Sequence, residues 1–290
     1  MAQREFGRPI LDPPRWSPTR RLRLALGGFT AVMMGLSWPL WINPVDIPAV
    51  PFWPHVPQPI RPIDWGVFLG ALVAIGWFAT GRSWRVPFFG GLALLFFLIL
   101  NDQHRFQPWI YQFAMTGSLL AGLPEREGLR YCRLWYVLLY FHSGLSKLDV
   151  SFRDELGLLF ITTLLRPLGL EPREWSALVR TLVVLTLPLG ELLVAGALLT
   201  SKFRRVGLLG ATVTHLGLIG VLGPLGLDHS PIVLVWNLAV LIQVWIAFTR
   251  RSNQTRRRSR PFGRVPSGEF PPCWSASRSW REPCFPWGSA

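Results

Sequence analysis

The chain of 290 residues is 50% hydrophobic, with a mean hydropathy of +0.32 and only 16 acidic side chains. This composition excludes an ordinary soluble domain, which carries more charge. The net charge of +14 would suit a nucleic-acid-binding protein, but the arginines cluster between long apolar runs. Such clusters are typical of loops at the cytoplasmic face of a membrane, so we expect membrane lipid as a partner and no nucleic acid.

The apolar runs predict the fold class. We predict an all-α, polytopic transmembrane helical bundle of about 8 spans, because continuous apolar runs of this length cross a bilayer as helices. The predicted spans, in chain order, cover residues 22–42, 65–80, 86–100, 107–123, 131–149, 176–200, 205–223 and 231–249.

The distribution of arginines predicts how these spans are oriented. Basic residues are concentrated in alternate loops, beginning before the first span and ending after the last. The positive-inside rule therefore places both termini in the cytoplasm. The chain then divides into a cytoplasmic N-terminal segment at 1–21, a transmembrane domain at 22–249 and a disordered basic cytoplasmic tail at 250–290.

Two external segments have patterns of their own. Residues 43–64 are rich in proline, and we expect them to lie on the membrane interface without a regular helix. Residues 151–174 contain the apolar stretch 156–165, which predicts a short interfacial or re-entrant helix closed by Pro167.

Lys147 is the most informative residue of the chain. Only two of the 30 basic side chains are lysines, and this one lies near the outer end of the fifth predicted span. A lysine removed from water can give up its proton and act as a base, which an arginine cannot do. An ionisable residue at membrane depth indicates a functional site. The alternative is that Lys147 extends to the headgroups and pairs with Asp149.

Other polar residues are expected inside the bundle or near its outer end. Glu191 and His215 fall near the middle of predicted spans six and seven, and His142 falls one helical turn below Ser146. The segment between spans three and four, with the start of span four, contributes Asp102, His104, Arg105 and Trp109. Each has a structural alternative, such as a core histidine, a bond between helices or an interfacial aromatic ring. Together they exceed what anchoring needs, which favours a functional site.

Residues 140–149 read Tyr-Phe-His-Ser-Gly-Leu-Ser-Lys-Leu-Asp. This string resembles the active-site segment of the vitamin K-dependent gamma-glutamyl carboxylases, which reads Tyr-Phe, two residues, Gly, a branched residue, Lys, Lys, Leu, Asp. The same membrane domain occurs in bacteria as the horizontally transferred transmembrane (HTTM) domain, so residues 22–249 are expected to be HTTM-like. Further similarity runs along residues 65–249, through His104, Glu191 and His215.

The resemblance implies a carboxylase-like lyase or a quinol-oxidising oxidoreductase, with a vitamin K-like quinol as cofactor. In these carboxylases the lysine equivalent to Lys147 deprotonates the quinol, and the product drives carboxylation of a peptide glutamate. His104 and His215 are then expected to orient or protonate oxygen groups as further catalytic residues. The residues expected to bind substrate are Asp149, Glu191, Arg105, Trp109 and His142. A lipid-soluble quinone or a peptide is the expected partner, and no metal is predicted.

The sequence departs from the family pattern in two places. Ser146 stands where the family has the first lysine of its pair, and the short tail after residue 249 is not expected to replace the family's large luminal domain. Two other functions stay open. One is a quinone-linked redox membrane protein similar to DoxX, and the other is a non-catalytic membrane partner protein whose polar residues only join helices.

Overall fold

A computed structural model describes residues 17–42, 48–53 and 61–249, and every regular element within these ranges is helical. Most of the predicted N-terminal segment, parts of the proline-rich segment and the whole predicted tail at 250–290 lie outside the described residues. The predicted all-α fold class is therefore confirmed for the part of the chain that is described.

Ten α-helices follow one another in the described residues. They are α1 Pro18–Leu36, α2 Trp38–Trp41, α3 Arg61–Thr80, α4 Arg85–Asn101, α5 Pro108–Gly122, α6 Glu125–Leu145, α7 Gly157–Leu165, α8 Ala177–Leu199, α9 Arg204–Leu222 and α10 Pro231–Phe248. Serine caps begin two of the long helices, since Ser17 accepts a hydrogen bond from the first turn of α1 and Ser176 does the same for α8.

Each of the eight predicted spans coincides with a long helix, but the count of about eight spans is not supported. Four of the described helices are both long and apolar enough to cross a membrane, and they are Pro62–Thr80, Ala177–Leu199, Arg204–Leu222 and Pro231–Phe248. The helices α4 and α5 have only 17 and 15 residues. The helices α1 and α6 carry charged residues near their beginnings, which lowers their hydropathy. The apolar helices are compatible with an integral membrane protein.

The beginning of α6 shows why helix boundaries differ from the predicted spans. Hydropathy predicts a span at 131–149, because residues 125–130 are mostly charged and resemble a loop. In the structure the helix begins at Glu125 and ends at Leu145. Glu125 and Glu127 lie in the first turn, where acidic side chains interact favourably with the positive end of the helix dipole.

The predicted short helix between the fifth and sixth spans is present as α7. A π-helical turn precedes α7, and a 3-10 turn that contains Pro167 follows it. Gly169 then adopts a φ of 69°, a left-handed conformation that glycine reaches at little steric cost. Phe152 and Ile161 pack with Val184 of α8 in a small apolar cluster, so α7 lies against the bundle.

Two apolar cores hold the helices together. The first core lies mainly between α1, α3, α4 and α5 and contains the rings of Phe78, Phe88 and Phe113, with centroids 5.2 to 5.6 Å apart. The second core lies mainly between α6, α8, α9 and α10 and contains Tyr136 and Tyr140. The helix α10 joins the two regions, because it packs against α1, α6 and α9.

Large apolar side chains cover the outer faces of the apolar helices. The most exposed include Val73, Leu178, Leu193, Leu209 and Val213. Soluble monomers rarely expose extended apolar surface of this kind. This surface indicates contact with membrane lipid.

Candidate functional site

Lys147 forms an ion pair with Glu191 at the end of α6. Its Nζ atom donates hydrogen bonds to both carboxylate oxygens of Glu191, at 3.0 Å to Oε1 and 2.7 Å to Oε2. The Glu191 side chain is 9% exposed and the Lys147 side chain is 24% exposed. The pair joins α8 to the end of α6, and its lysine stays within reach of a molecule outside the bundle.

The Lys147 side chain turns back along α6 instead of extending to the headgroups. Lys147 follows Leu145, the last residue of α6, yet its Nζ atom donates to the carbonyl of Ser143 at 3.1 Å and also to the Ser143 hydroxyl. Asp149, the alternative partner, instead accepts a hydrogen bond from the backbone N–H of Phe152 at 2.6 Å. The amine is therefore held by α6 and α8.

A close approach of α6 and α8 makes this ion pair possible. A Cβ atom at Gly144 would lie 2.8 Å from the carbonyl oxygen of Pro188 and 2.9 Å from Cγ of Leu192. Only glycine fits there without a shift of one helix, and both contacted residues lie beside Glu191 in α8. Pro188 also lacks a backbone N–H, so α8 loses one of its own hydrogen bonds just before Glu191.

A chain of hydrogen bonds runs from α6 through α9 to α10. The Tyr140 hydroxyl lies 2.8 Å from Nε2 of His215, and Nδ1 of His215 lies 2.9 Å from Oδ1 of Asn237. Nδ2 of Asn237 donates to the carbonyl of Val233 at 2.9 Å, so Oδ1 faces His215 as an acceptor. His215 therefore carries its proton on Nδ1, and Nε2 accepts a hydrogen bond from Tyr140.

Glu191 connects the ion pair to this chain through its charge. The carboxylate acts electrostatically on the Tyr140 hydroxyl and on the His215 ring. Tyr140, Ser143 and Lys147 recur along α6 and its final turn at spacings of three and four residues, which places them on one face. This face of α6 therefore carries two hydrogen-bonded groups, Lys147 with Ser143 and Glu191, and Tyr140 with His215, with no hydrogen bond between the two groups among the described residues.

A second polar network lies one turn deeper on the same face of α6. The Tyr136 hydroxyl donates to Oε1 of Gln243 at 2.8 Å, and Nε2 of Gln112 donates to the same atom at 3.0 Å. Nε1 of Trp236 donates to Oε1 of Gln112 at 2.7 Å. These bonds join α5, α6 and α10, which is typical of polar residues that hold membrane helices together.

Arg105 belongs to a different region, where it ties three helices together. Its buried guanidinium donates from Nη2 to Oδ2 of Asp64 at 3.2 Å. It also donates to the backbone carbonyls of Leu40 and Leu98, at 3.1 Å and 3.2 Å. These bonds connect α2, α3 and α4, so Arg105 has a structural role that accounts for its burial.

His104 and Trp109 lie in this same region. Nδ1 of His104 is 2.9 Å from Oδ1 of Asp102, and the histidine side chain is half-exposed. Trp109 is buried and meets the ring of Trp41 edge-on, with centroids 5.8 Å apart. Among the described residues no contact joins His104 or Trp109 to Lys147, so the predicted site residues fall into two groups.

His142 lines a cleft on the neighbouring face of α6. The cleft has a volume of about 440 Å³ and is bounded by α5, α6 and α10, with Tyr111, Trp135 and Trp236 among its walls. Nε1 of Trp135 is buried and has no hydrogen-bond partner within the described ranges. A buried N–H without a partner is unfavourable, and this one belongs to a residue that lines the cleft.

Tyr140, Ser143 and Asn237 are absent from the site residues predicted above. Tyr140 and Ser143 could have been found from their spacing to Lys147 on one helical face. Asn237 is one of the few polar residues in the apolar run of α10, which is itself a signal. Within residues 17–42, 48–53 and 61–249, no three His, Cys, Asp or Glu side chains converge in a way that could hold a metal ion.

Comparisons of the chain with protein-family models, with curated proteins and with solved structures find no match. The similarity to the carboxylase and HTTM family therefore rests on residues 140–149 and stays an expectation. In the structure Lys147 lies against Glu191, and the Tyr140–His215 hydrogen bond begins on the same face of α6.

Proposed function

We propose that this chain is an integral membrane enzyme that uses Lys147 and Glu191 to move a proton from a lipid-soluble substrate. The supporting observation is the Lys147 amine, which is held inside the bundle against Glu191 while its side chain stays partly accessible. A lysine that only anchors a helix extends to the headgroups, whereas this one turns inward.

The ion pair supplies the amine with its own proton acceptor. Lys147 Nζ donates to Oε2 of Glu191 at 2.7 Å, so transfer of that one proton leaves a neutral amine beside a neutral carboxylic acid. Poor solvation of charge inside the bundle reduces the difference in free energy between the charged and neutral pairs. The amine lone pair is then free to take a proton from a substrate hydroxyl, while Glu191 holds the first proton.

His215 has a positioning role in this proposal. Because Asn237 accepts from Nδ1, the ring keeps one tautomer and its Nε2 accepts from Tyr140. His215 therefore acts through Tyr140, and Tyr140 is the group that faces Lys147 and Glu191. His104, predicted as a further catalytic residue, has no part in this mechanism.

A quinol is the substrate class that best fits the cleft lined by His142. Aromatic walls suit a planar ring, and Nε1 of Trp135, which has no partner among the described residues, would donate to a quinone oxygen after a small rotation of the indole into the cleft. The Lys147 amine returns to the level of Ser143, the residue next to His142, so the cleft and the amine lie at a similar depth. They lie on faces of α6 that are about 100° apart. A bound quinol would supply an acidic hydroxyl and redox chemistry that amino-acid side chains lack.

The proposal extends to family and location. It places the chain with the HTTM and gamma-glutamyl carboxylase membrane domains, in a bacterial inner membrane with both ends on the cytoplasmic side. The match at residues 140–149 and the arginine-rich alternate loops support it. In this topology all eight long helices cross the membrane, with α4 and α5 shorter than the bilayer and packed against longer neighbours.

Lys147→Arg tests the base role directly. Arginine keeps the positive charge but does not deprotonate, so oxygen consumption driven by a reduced naphthoquinol in proteoliposomes should fall by about 100-fold or more. Lys202→Arg is the matched control, because Lys202 is the other lysine of the chain and is exposed before α9. Lys202→Arg should leave the rate unchanged. A Lys147→Arg protein that keeps the full rate would show that Lys147 is not the base.

The amount of bound quinone tests the assignment of the cleft independently of the role of Lys147 as a base. We expect lipid extracts of the detergent-purified protein to contain a quinone by mass spectrometry, and Trp135→Phe to deplete it. Trp245→Phe is the control, because Nε1 of Trp245 already donates to Thr212 at 3.0 Å. Equal quinone content in the two variants would contradict the assignment of the cleft.

A second candidate is a non-catalytic membrane partner protein. The network of Tyr136, Gln112, Gln243 and Trp236 favours it, because this network joins three helices and leaves none of the linked side chains unbonded. Under this function neither quinone nor quinol-driven oxygen consumption would be found in the wild-type protein. Lys147→Ala would then change only the stability of the bundle.

A further inference from the structure

A basic cavity lies at the end of the bundle opposite Lys147. Its volume is about 510 Å³, and among the described residues its lining contains one acidic side chain, Glu125. Four arginines line the same space, namely Arg20, Arg23, Arg82 and Arg85. Glu125 begins α6 and Lys147 follows its end, so the cavity and the amine are separated by the length of a 21-residue helix, roughly 30 Å.

Three helices begin at this cavity. Ser17 and Thr19 come from the start of α1, Trp84 and Arg85 from the start of α4, and Glu125 from the start of α6. The first backbone N–H groups of a helix and its dipole both favour an anion at that end. The arginines and the helix ends therefore both favour a bound anion in this cavity.

The wall of the cavity is built around fixed polar groups. Nη1 of the buried Arg23 donates to the carbonyls of Phe78 and Gly81, at 3.0 Å and 3.3 Å, and the guanidinium lies 4.5 Å from the centre of the Trp84 ring. Thr19 is 7% exposed, and its buried Oγ1 has no partner in the part of the chain that is described. A buried hydroxyl without a partner is unfavourable, so a rotation of the Thr19 side chain towards a ligand oxygen in the cavity would satisfy it.

An apolar groove continues from the cavity. This groove of about 630 Å³ runs between α3 and α4 along Val73, Trp77 and Leu94, and it shares Ser83 and Val86 with the cavity. The helix α3 is apolar enough to cross a membrane and ends just before the cavity. The cavity therefore lies at the level of the lipid headgroups, and the groove lies at the level of the acyl chains.

We propose that the cavity and the groove form one binding site for an anionic phospholipid. The phosphate group lies among the arginines and the three helix ends, where Thr19 donates its hydroxyl proton to a phosphate oxygen. An acyl chain lies along the groove between α3 and α4. This site is distinct from the one around Lys147 and does not depend on the proposed quinol chemistry.

Native mass spectrometry of the full chain in detergent tests the site with added phosphatidylglycerol, and with phosphatidylcholine as the zwitterionic comparison. We expect phosphatidylglycerol to bind more tightly, and Arg82→Gln to weaken its binding about fivefold. Arg205→Gln is the matched control, because Arg205 is also exposed, lies near the beginning of α9 and does not line the cavity. This control should bind phosphatidylglycerol as the wild type does.

Three results would overturn the proposal. The first is equal binding of phosphatidylglycerol by Arg82→Gln and Arg205→Gln. The second is equal affinity for phosphatidylglycerol and phosphatidylcholine. The third is displacement of the lipid by millimolar inorganic phosphate alone, which would identify a site for free phosphate. Thr19→Val gives a further readout, since it removes the unpaired hydroxyl without changing charge and should weaken lipid binding in the same direction as Arg82→Gln.

Discussion

Two ion pairs inside the helical bundle differ in what surrounds them. Arg105 and Asp64 are only 1% and 3% exposed, and the guanidinium also donates to two backbone carbonyls. Lys147 is more accessible, and its partner Glu191 interacts electrostatically with Tyr140. In the first pair the cation is also bound by two carbonyls, whereas the second combines a more accessible amine with the Ser143 hydroxyl.

This difference shows that burial of charge does not by itself indicate chemistry. The more deeply buried pair joins helices, and removing one of its members would leave the other charge uncompensated. The less buried pair contains a lysine, which can exist as a neutral amine, whereas arginine stays charged in proteins. The type of cation and its access to a ligand are therefore more informative than the exposed area alone.

The largest expected effect is on the structural pair. Asp64→Asn removes the carboxylate charge that is hydrogen-bonded to the buried Arg105 guanidinium, and the carboxylate that remains, Asp102, lies 3.9 Å from Nε of Arg105. We expect the free energy of unfolding in detergent to fall by about 3–4 kcal/mol. Tryptophan fluorescence during denaturation measures this loss of stability. The matched control is Asp154→Asn, whose partner Arg153 is exposed and lowers the pKa of Asp154 by hydrogen bonding. This control should not change stability, and equal losses in both variants would contradict the structural role of Asp64.

Substitutions in the Lys147–Glu191 pair should reduce stability less than Asp64→Asn does, and they should reduce the rate of the proposed reaction more. Glu191→Gln removes the negative charge and one of the two oxygens that accept from Lys147. The amine keeps the amide oxygen, Ser143 and partial access to water, so we expect a loss of about 1.5–3 kcal/mol. The double variant Lys147→Met with Glu191→Gln should be less destabilised than the sum of the two single variants. A loss as large as that of Asp64→Asn would mean that the two pairs do not differ.

The approach of α6 and α8 can be tested at Gly144. Gly144→Ala places a methyl group within 3 Å of the Pro188 carbonyl, and we expect a loss of about 1–3 kcal/mol with a reduced rate of quinol oxidation. Gly190→Ala in α8 is the control, because nothing lies within 4 Å of its Cβ position. In Gly190→Ala the free energy of unfolding and the rate of quinol oxidation should both be unchanged or slightly higher. A harmless Gly144→Ala would show that the helices can separate without affecting the pair.

The smallest expected effect distinguishes the two tyrosines of α6. Tyr140→Phe leaves Nε2 of His215 without a donor, and we expect a loss of about 1 kcal/mol together with slower quinol oxidation. Tyr136→Phe should have a smaller effect on stability, because Gln243 keeps its bond from Gln112, and no effect on the rate. Equal rates for the two variants would remove Tyr140 from the mechanism.

The helices could be predicted from the sequence because apolar runs are local, and each of the eight runs is helical. Their ends were less predictable. The charged start of α6 looks like a loop, although acidic residues favour a helix beginning. The number of spans is a separate question from the number of helices, since a 15-residue α5 is helical without being long enough to cross a bilayer by itself.

The partners of the polar residues could not be predicted, because they are distant in sequence. Lys147 meets Glu191 across 44 residues, and Arg105 meets Asp64 across 41. A lysine side chain can extend to the membrane surface or turn back, and only packing between α6 and α8 decides which occurs. The direction of Lys147 is therefore a tertiary property, whereas its importance was visible in the sequence.

Lys147 is carried by the turn after α6 and not by the helix itself. Its backbone N–H bonds to the Gly144 carbonyl at 3.2 Å, while its amine reaches back to Ser143. Rotation about side-chain torsions is thus enough to move the amine between Glu191 and the outer surface, with no unwinding of α6. If Lys147 is the base that we propose, this rotation would let its amine exchange a proton with water in the outward position and with Glu191 in the inward one.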